Sequence, residues 1–533
     1  MVIELISRRR PYNAASEFVD ANIARGFAQK IAFIDPDRAM SYAELRDRIY
    51  QFGAALRRLG LRQENRIILL SDDTVDFPVV FWGAINAGVI VIPLNTMMTV
   101  EQYAYVIEDS RASAVVVAAP IAQTIAPALN REAAGRILIL VGAKEDEQAA
   151  FRGQQVHHLE DILAREEAEP RTASTISDEV AFWLYTSGST GKFKGVKHLH
   201  SSLMAAARLF GQRILGIRQD DLVYSAAKLA SAYGLGNAMS LPMSVGATSV
   251  LLPGRPDPAS VFEVMRCHRP SVFYAWPTLY AAMLSHKDVG HKCGSNRLRI
   301  CLSAGEALPE HLGRRWRDLV GVDILDGFGS TELLQTFVSN RPDDVRYGST
   351  GKPVPGYDVK IVDDCGHEVV NGKMGELIVR GPSAGEGYWN QRALTRRTFA
   401  GEWTRTGDLF VCDGDGYYRY RGRTDDMFKV DGMWVSPLDV EAALLSHEAV
   451  REAAVVGKED ADGLMKPKAF VVLNEGYVAN EQLLEQLKGH VRERAGSWTS
   501  PCWIEFRREL PKTATGKVQR FKLRNEGTAR RPN

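Results

Sequence analysis

Paired cysteines are missing from this chain. Its six cysteines, Cys267, Cys293, Cys301, Cys365, Cys412 and Cys502, are dispersed through 533 residues and form no C-x-x-C. At this length they read as free thiols, not as a disulfide or zinc framework. A dominant charge is missing too. The net charge is +1, so nothing draws the whole chain toward nucleic acid or an anionic membrane. A signal peptide is not evident, because the short apolar patch at the N-terminus precedes Arg8, Arg9 and Arg10 instead of following them. The expected location is cytoplasmic. Two uncharged runs, 77–100 and 229–254, are membrane candidates by length alone. Gly88 and Pro93 break the first and Gly246 the second, so both read as a helix followed by a strand, with no membrane span. Internal repeats and low-complexity tracts are absent. So is a Walker A loop, because Gly191-Lys192 is followed by Phe193 where that pattern needs Ser or Thr.

What is present is an ordinary globular composition, 45% hydrophobic and 25% charged. The length fits three to four domain-sized units. Over residues 1–175, helical and strand patterns alternate. Ser41-Tyr-Ala-Glu44 forms a capping box for a helix stopped at Gly60, and short apolar strands occupy 66–70, 89–93, 114–118 and 137–141. That alternation predicts a mostly parallel sheet with helices on its faces. Residues 142–178 read as a surface crossing. From about 345, short strands between glycines predict an antiparallel β unit, and residues after about 427 a small α+β domain.

One stretch concentrates chemistry. Tyr185-Thr-Ser-Gly-Ser-Thr-Gly-Lys-Phe-Lys-Gly-Val-Lys197 follows the buried-strand pattern 180–185. Glycines let backbone N–H groups approach an anion, hydroxyls donate to its oxygens and lysines neutralise charge. Phosphate binding is the reading; a flexible basic turn is the bland alternative. Two further strands break at Ala304-Gly-Glu-Ala307 and at Gly327-Phe-Gly-Ser-Thr-Glu332. Ligands sit at the carboxyl ends of parallel strands, so the three breaks are expected to converge.

Thr186-Ser-Gly-Ser-Thr-Gly-Lys-Phe-Lys-Gly195 resembles the phosphate loop of the adenylate-forming superfamily, which comprises acyl- and aryl-CoA synthetases, luciferases and adenylation domains. Gly329-Ser-Thr-Glu332, Thr406-Gly-Asp408, Tyr420-Arg-Gly-Arg-Thr-Asp-Asp426 and Pro511-Lys-Thr-Ala-Thr-Gly-Lys517 match its other signatures in the family's order, over nearly the whole chain. The segments 228–237, 303–309 and 326–332 look most like benzoate-type aryl-CoA ligases, with anthranilate (2-aminobenzoate) ligases the next comparison. The chain departs from the family at Phe193, where a Pro is usual. It departs from benzoate ligases at Gln335-Thr336, where His-Ile is usual, and at Ala230-Ser231, where two Phe are usual. These changes suggest a roomier, more polar pocket.

The resemblance implies an α/β fold. A large N-terminal domain, 1–424, would hold parallel-rich sheets and a small β unit, and a mobile α+β domain, 425–533, would turn about the hinge Asp425. It implies an AMP-forming acid–thiol ligase that joins ATP and an aromatic acid, benzoate or 2-aminobenzoate, into an aryl-adenylate and passes the aryl group to coenzyme A. Mg2+ would be held by Glu332, and the assembly would be a monomer or homodimer. Lys517 would be the catalytic lysine, with Thr331 and Glu332 beside the phosphates. Thr186, Ser187, Gly188, Ser189, Thr190, Gly191 and Lys194 would clamp phosphate. Ser303, Ala304, Gly305, Glu306, Ala307, Asp326, Gly327, Phe328, Gly329 and Ser330 would surround the nucleotide, with Phe328 either against adenine or in the core. Asp408 and Arg423 would hold the ribose. Ala232, Tyr233, Ala304, Gly327, Leu334 and Gln335 would wall the acid pocket, though Tyr233 reads equally well as core. Gln335 or Ser231 would accept an ortho-amino group. Lys429 and Gly432 would line the CoA path. The rival readings are an adenylation enzyme that loads a carrier-protein thiol, a luciferase-like oxidase and a non-catalytic nucleotide sensor.

Overall fold

The computed structural model describes residues 11–130, 135–142, 151, 154–187, 193–430, 433–460, 463–496, 499–512 and 518–525. The chain forms two compact units, Met1–Val359 with Val379–Arg405 and Lys360–Ile378 with Thr406–Asn533.

Two sheets build the first unit. In the seven-stranded sheet the order is Gln155–His158, Ile137–Val141, Ala114–Ala118, Arg66–Leu70, Ile90–Pro93, Val180–Ser187 and Phe193–Leu199. Every neighbour pair is parallel except the last, an antiparallel hairpin. Its inner strands Ala114–Ala118 and Ile90–Pro93 are apolar and buried along their whole length, as strands covered on both faces are. The nine-stranded sheet has a parallel centre, with Leu222–Ser225, Val272–Ala275, Ile300–Ala304 and Ile324–Gly329 side by side. Thr336–Ser339 then turns back antiparallel to Ile324–Gly329.

Local signals explain most boundaries. The helix Tyr42–Arg58 begins at a complete capping box, with Ser41 Oγ accepting from Glu44 N at 3.2 Å and Glu44 Oε2 accepting from Ser41 N at 2.7 Å. The uncharged run 77–100 is the buried helix Asp76–Asn86, a left-handed Gly88 and the strand Ile90–Pro93. Among the described residues no helix is long and apolar enough to cross a membrane. The expected surface crossing 142–178 differs from the structure, which has there the strand Gln155–His158 and the helix Leu159–Ala164. The strand ends in two histidines and has no fully buried residue, so its sequence carries no alternating apolar pattern.

In the second unit, Asp408 to Cys412 pairs antiparallel with Tyr418–Arg423. A three-stranded sheet of Val450–Glu459, Met465–Leu473 and Trp503–Phe506 packs with the helices Pro437–Leu445 and Glu481–Ala495 around Val440, Leu444, Val455, Val471 and Leu487.

Candidate active site

The hairpin of Val180–Ser187 and Phe193–Leu199 sets Thr186 opposite Lys194 and Ser187 opposite Phe193. Gly188, Ser189, Thr190 and Gly191, like Gly432 and Lys517, lie outside the described residues. Phe193 replaces the stiffness of a proline with contacts. Its carbonyl accepts from Tyr105 Oη at 3.1 Å and from Gln391 Nε2 at 3.4 Å, and its ring packs on the sheet's core.

Lys194 and Glu332 come together across 138 positions of sequence. Lys194 Nζ lies 3.2 Å from Glu332 Oε1, and both side chains are largely buried. Beside them lies Tyr388, whose hydroxyl donates to Glu332 Oε1 at 2.7 Å and accepts from Lys194 Nζ at 2.8 Å. Burial pushes the Glu332 carboxyl up, but the Lys194 ammonium and the Tyr388 hydroxyl outweigh it and hold the group below its usual range. An ionised, half-enclosed carboxylate is a hard oxygen donor and fits Mg2+.

The parallel pair Ile300–Ala304 and Ile324–Gly329 aligns Ser303 with Asp326 and Ala304 with Gly327. Gly305 and Ala307 are exposed beyond the first strand, and Glu306 accepts from Thr278 Oγ1 at 3.0 Å. Among the described residues, Ser303 Oγ, Ser330 Oγ and one oxygen of Asp326 are buried without a hydrogen-bond partner. Burial holds the Asp326 carboxyl well above its usual range. Phe328 stands edge-on to Phe337, with centroids 5.5 Å apart. Thr331–Leu333 is a single 3-10 turn in which Thr331 is half-buried. Leu334 follows at φ 66°, ψ −42°, and Gln335 N donates to Leu333 O at 2.7 Å. This is a γ-turn of the strained, positive-φ kind. The turn presses on Gly329, where a Cβ would lie 2.6 Å from Gln335 O.

The turn buries Gln335 and fixes its amide. Nε2 donates to Asn237 Oδ1 at 3.2 Å, while Oε1 accepts from Thr336 N at 2.9 Å and Thr336 Oγ1 at 3.1 Å. A Cβ on Gly236 would lie 1.9 Å from Gln335 Nε2, so the amide occupies the space that any other residue there would need. Ala232 and Tyr233 open the short helix Ala232–Leu235 and are half-buried. Tyr233 Oη is shared between the carbonyls of Ala275 and Leu302 at 3.2 Å each. Ser231 caps that helix: its hydroxyl accepts from Gly234 N at 3.1 Å and donates to Lys228 O at 2.8 Å. Its proton and one of its two lone pairs are thus engaged.

In the second unit, Arg423 Nη1 donates to Asp408 Oδ2 and to Thr406 O, each at 2.9 Å, across the antiparallel register that pairs them. Asp425 is exposed and its carbonyl accepts from Arg524 Nη1 at 2.8 Å; Lys429 is exposed on Phe428–Val430. Arg520 forms a buried pair with Glu441, donating to both carboxylate oxygens. Tyr388 and Asn237 were not foreseen as site residues. Each bonds to a foreseen residue distant in sequence, so no local spacing marks it.

Parallel strands ending in glycine loops, with a lysine–carboxylate pair beside a phosphate-type hairpin, fit a nucleotide-binding enzyme. The model of the AMP-binding enzyme family matches residues 21–389, and that of the AMP-binding enzyme C-terminal domain matches 439–517. The chain is 50% identical over 516 residues to a 4-hydroxybenzoate–CoA/benzoate–CoA ligase of Rhodopseudomonas palustris, covering 97% of this chain and 94% of the relative. A solved benzoate CoA ligase from Burkholderia xenovorans LB400 superposes with a TM-score of 0.88 at 43% identity, covering 96% of this chain and all of that one. An anthranilate CoA ligase solved with anthranoyl-AMP also reaches 0.88, at 37% identity and 98% coverage of both. The chain belongs to the AMP-binding enzyme family, within the adenylate-forming superfamily. It is an acid–thiol ligase of the benzoate-type aryl-CoA ligase group, using ATP and CoA.

Proposed function

We propose that the chain activates benzoate, with 4-hydroxybenzoate as the next-best acid, through an aryl-adenylate to the aryl-CoA thioester, releasing pyrophosphate and AMP. The observation that carries this choice is the state of Gln335 and Ser231. An ortho-amino group needs a hydrogen-bond acceptor. The Gln335 carbonyl already accepts twice, and the Ser231 hydroxyl has given its proton to Lys228 O and one of its two acceptor sites to its helix cap. The half-identical relative named for benzoate and 4-hydroxybenzoate supports the same order, so 2-aminobenzoate moves down from the sequence-based expectation.

Within this reading, Lys194, Thr186 and the loop after it neutralise the ATP phosphates, Glu332 holds Mg2+, and Thr331 lies at the α-phosphate. Attack by one anion on another requires neutralisation and alignment above all. Asp408 and Arg423 hold the ribose. Lys517 supplies the charge between carboxylate and phosphate, and rotation about Asp425 then brings Lys429 and Gly432 to the CoA arm. A carrier-protein thiol remains the rival acceptor. The test is acid-dependent AMP release with CoA over benzoate and its ortho, meta and para amino and hydroxy derivatives. Benzoate is expected to lead in kcat/KM, with 2-aminobenzoate at least about tenfold lower, because a polar group left without a partner costs 1–3 kcal/mol. A lead for 2-aminobenzoate would reverse the assignment.

A further inference from the structure

We propose that Tyr388 is a positioning residue for the ATP half-reaction, acting by fixing the carboxylate of Glu332. This rests on the reading of Glu332 as the Mg2+ ligand and Lys194 as a phosphate-binding lysine. Three observations carry it. Tyr388 Oη bonds to both groups at once, donating to Glu332 Oε1 at 2.7 Å and accepting from Lys194 Nζ at 2.8 Å. The ammonium also lies 4.3 Å from the Tyr388 ring centroid, where the ring face attracts it. The residue itself is held firmly. It is 4% exposed, its N–H donates to Thr395 Oγ1 at 3.0 Å, its ring meets Phe399 at 5.4 Å, and it bridges to Val196 on the strand that carries Lys194.

The chemistry follows from the contacts. A carboxylate and an ammonium left alone at this distance close into a tighter pair. The phenol sits against both, and its bond and that of Lys194 fall on the same oxygen, Oε1. A carboxylate tied through one oxygen keeps the other for a hard cation. Without the hydroxyl, the carboxylate is free to turn onto Lys194, and a cation must then compete with that ammonium. A phenylalanine there would preserve the ring, its contact with Phe399 and its face toward Lys194, so the packing and positioning roles separate.

The test is Tyr388→Phe beside Glu332→Gln, with ATP affinity measured by calorimetry over a series of Mg2+ concentrations and AMP affinity measured without Mg2+. Tyr388→Phe is expected to need about tenfold more Mg2+ for half of its full ATP affinity, the effect of one lost hydrogen bond to a charged group. AMP affinity is expected to stay at the wild-type value, and Glu332→Gln to lose most of the Mg2+ dependence. If Glu332→Gln shifts and Tyr388→Phe does not, the Tyr388 role is overturned and the Mg2+ reading stands. If neither shifts, the Mg2+ reading fails and takes this role with it. If AMP affinity falls together with the Mg2+ response in Tyr388→Phe, the residue serves packing and the positioning role is overturned.

Discussion

At the scale of single residues, the proposed acid pocket depends on what two glycines leave out. Gly329 yields to the backbone of the γ-turn, and Gly236 to the Gln335 amide. Gly236→Ala puts a methyl 1.9 Å from Gln335 Nε2, so the amide must leave Asn237. Overpacking of this size costs about 1–3 kcal/mol, so the KM for the acid is expected to rise about tenfold while the KM for ATP holds. AMP release against acid and against ATP concentration reads this directly, and an unchanged acid KM would remove Gln335 from the pocket. The sequence named Gln335 as a wall because it follows a recognisable motif. It did not disclose the lock, because Asn237 lies 98 positions away and the lock exists only once two loops meet. The strain at Leu334 was equally hidden, since leucine carries no sign of positive φ.

At the scale of elements, apolar runs and caps placed the helix Tyr42–Arg58 and the strands Arg66–Leu70, Ile90–Pro93, Ala114–Ala118 and Ile137–Val141 to within a residue or two. Failures came where pairing, not periodicity, makes the strand. Gln155–His158 is held by its parallel neighbour, and the stretch 385–389 joins Phe193–Leu199 through Lys197 N to Gly387 O at 3.0 Å and Trp389 N to Gly195 O at 2.8 Å. The turn from that strand into the helix His200–Ala206 buries His200, whose Nδ1 accepts from Ala14 N at 3.1 Å. Burial lowers its pKa to about 4, and that of the buried His198 likewise to about 4. The folded chain then binds fewer protons than the unfolded one between about 4 and 6.5. The stability each contributes is complete above about 6.5 and is lost as pH falls toward 4. Asp73, raised by burial to about 6, works in the opposite direction over much of the same window. His200→Asn is expected to remove one histidine's share of the slope, about 3 kcal/mol between pH 6.5 and 4. Urea midpoints at pH 7.5, 6 and 5 measure it; an unchanged slope would place the acid sensitivity elsewhere.

At the scale of the whole molecule, the α/β class and a small C-terminal α+β part were legible, because the signatures run in order along the chain. The division into compact units was not, since the chain enters the second unit at Lys360, returns to the first at Val379 and leaves again at Thr406. Composition barely changes at those crossings. The two-step chemistry makes its prediction here. Lys517→Ala is expected to slow adenylate formation at least about 100-fold, as loss of a transition-state charge partner does, and to leave thioester formation from supplied aryl-adenylate within a few-fold. Single-turnover assays of each half separate the two, and equal losses would deny Lys517 its place in the first half alone.

The return of the chain at Val379 also sets a timetable. Phe193–Leu199 is the outer strand of its sheet, and the residue that bridges to it, Tyr388, is translated about 190 residues after Val196, a wait of roughly 10–40 s at ordinary synthesis rates. For that interval a nascent chain presents an unpaired strand edge, the surface on which aggregation begins. The strand that carries Lys194 is thus also the stretch for which a chaperone, a slower ribosome or a lower growth temperature matters most when the protein is produced.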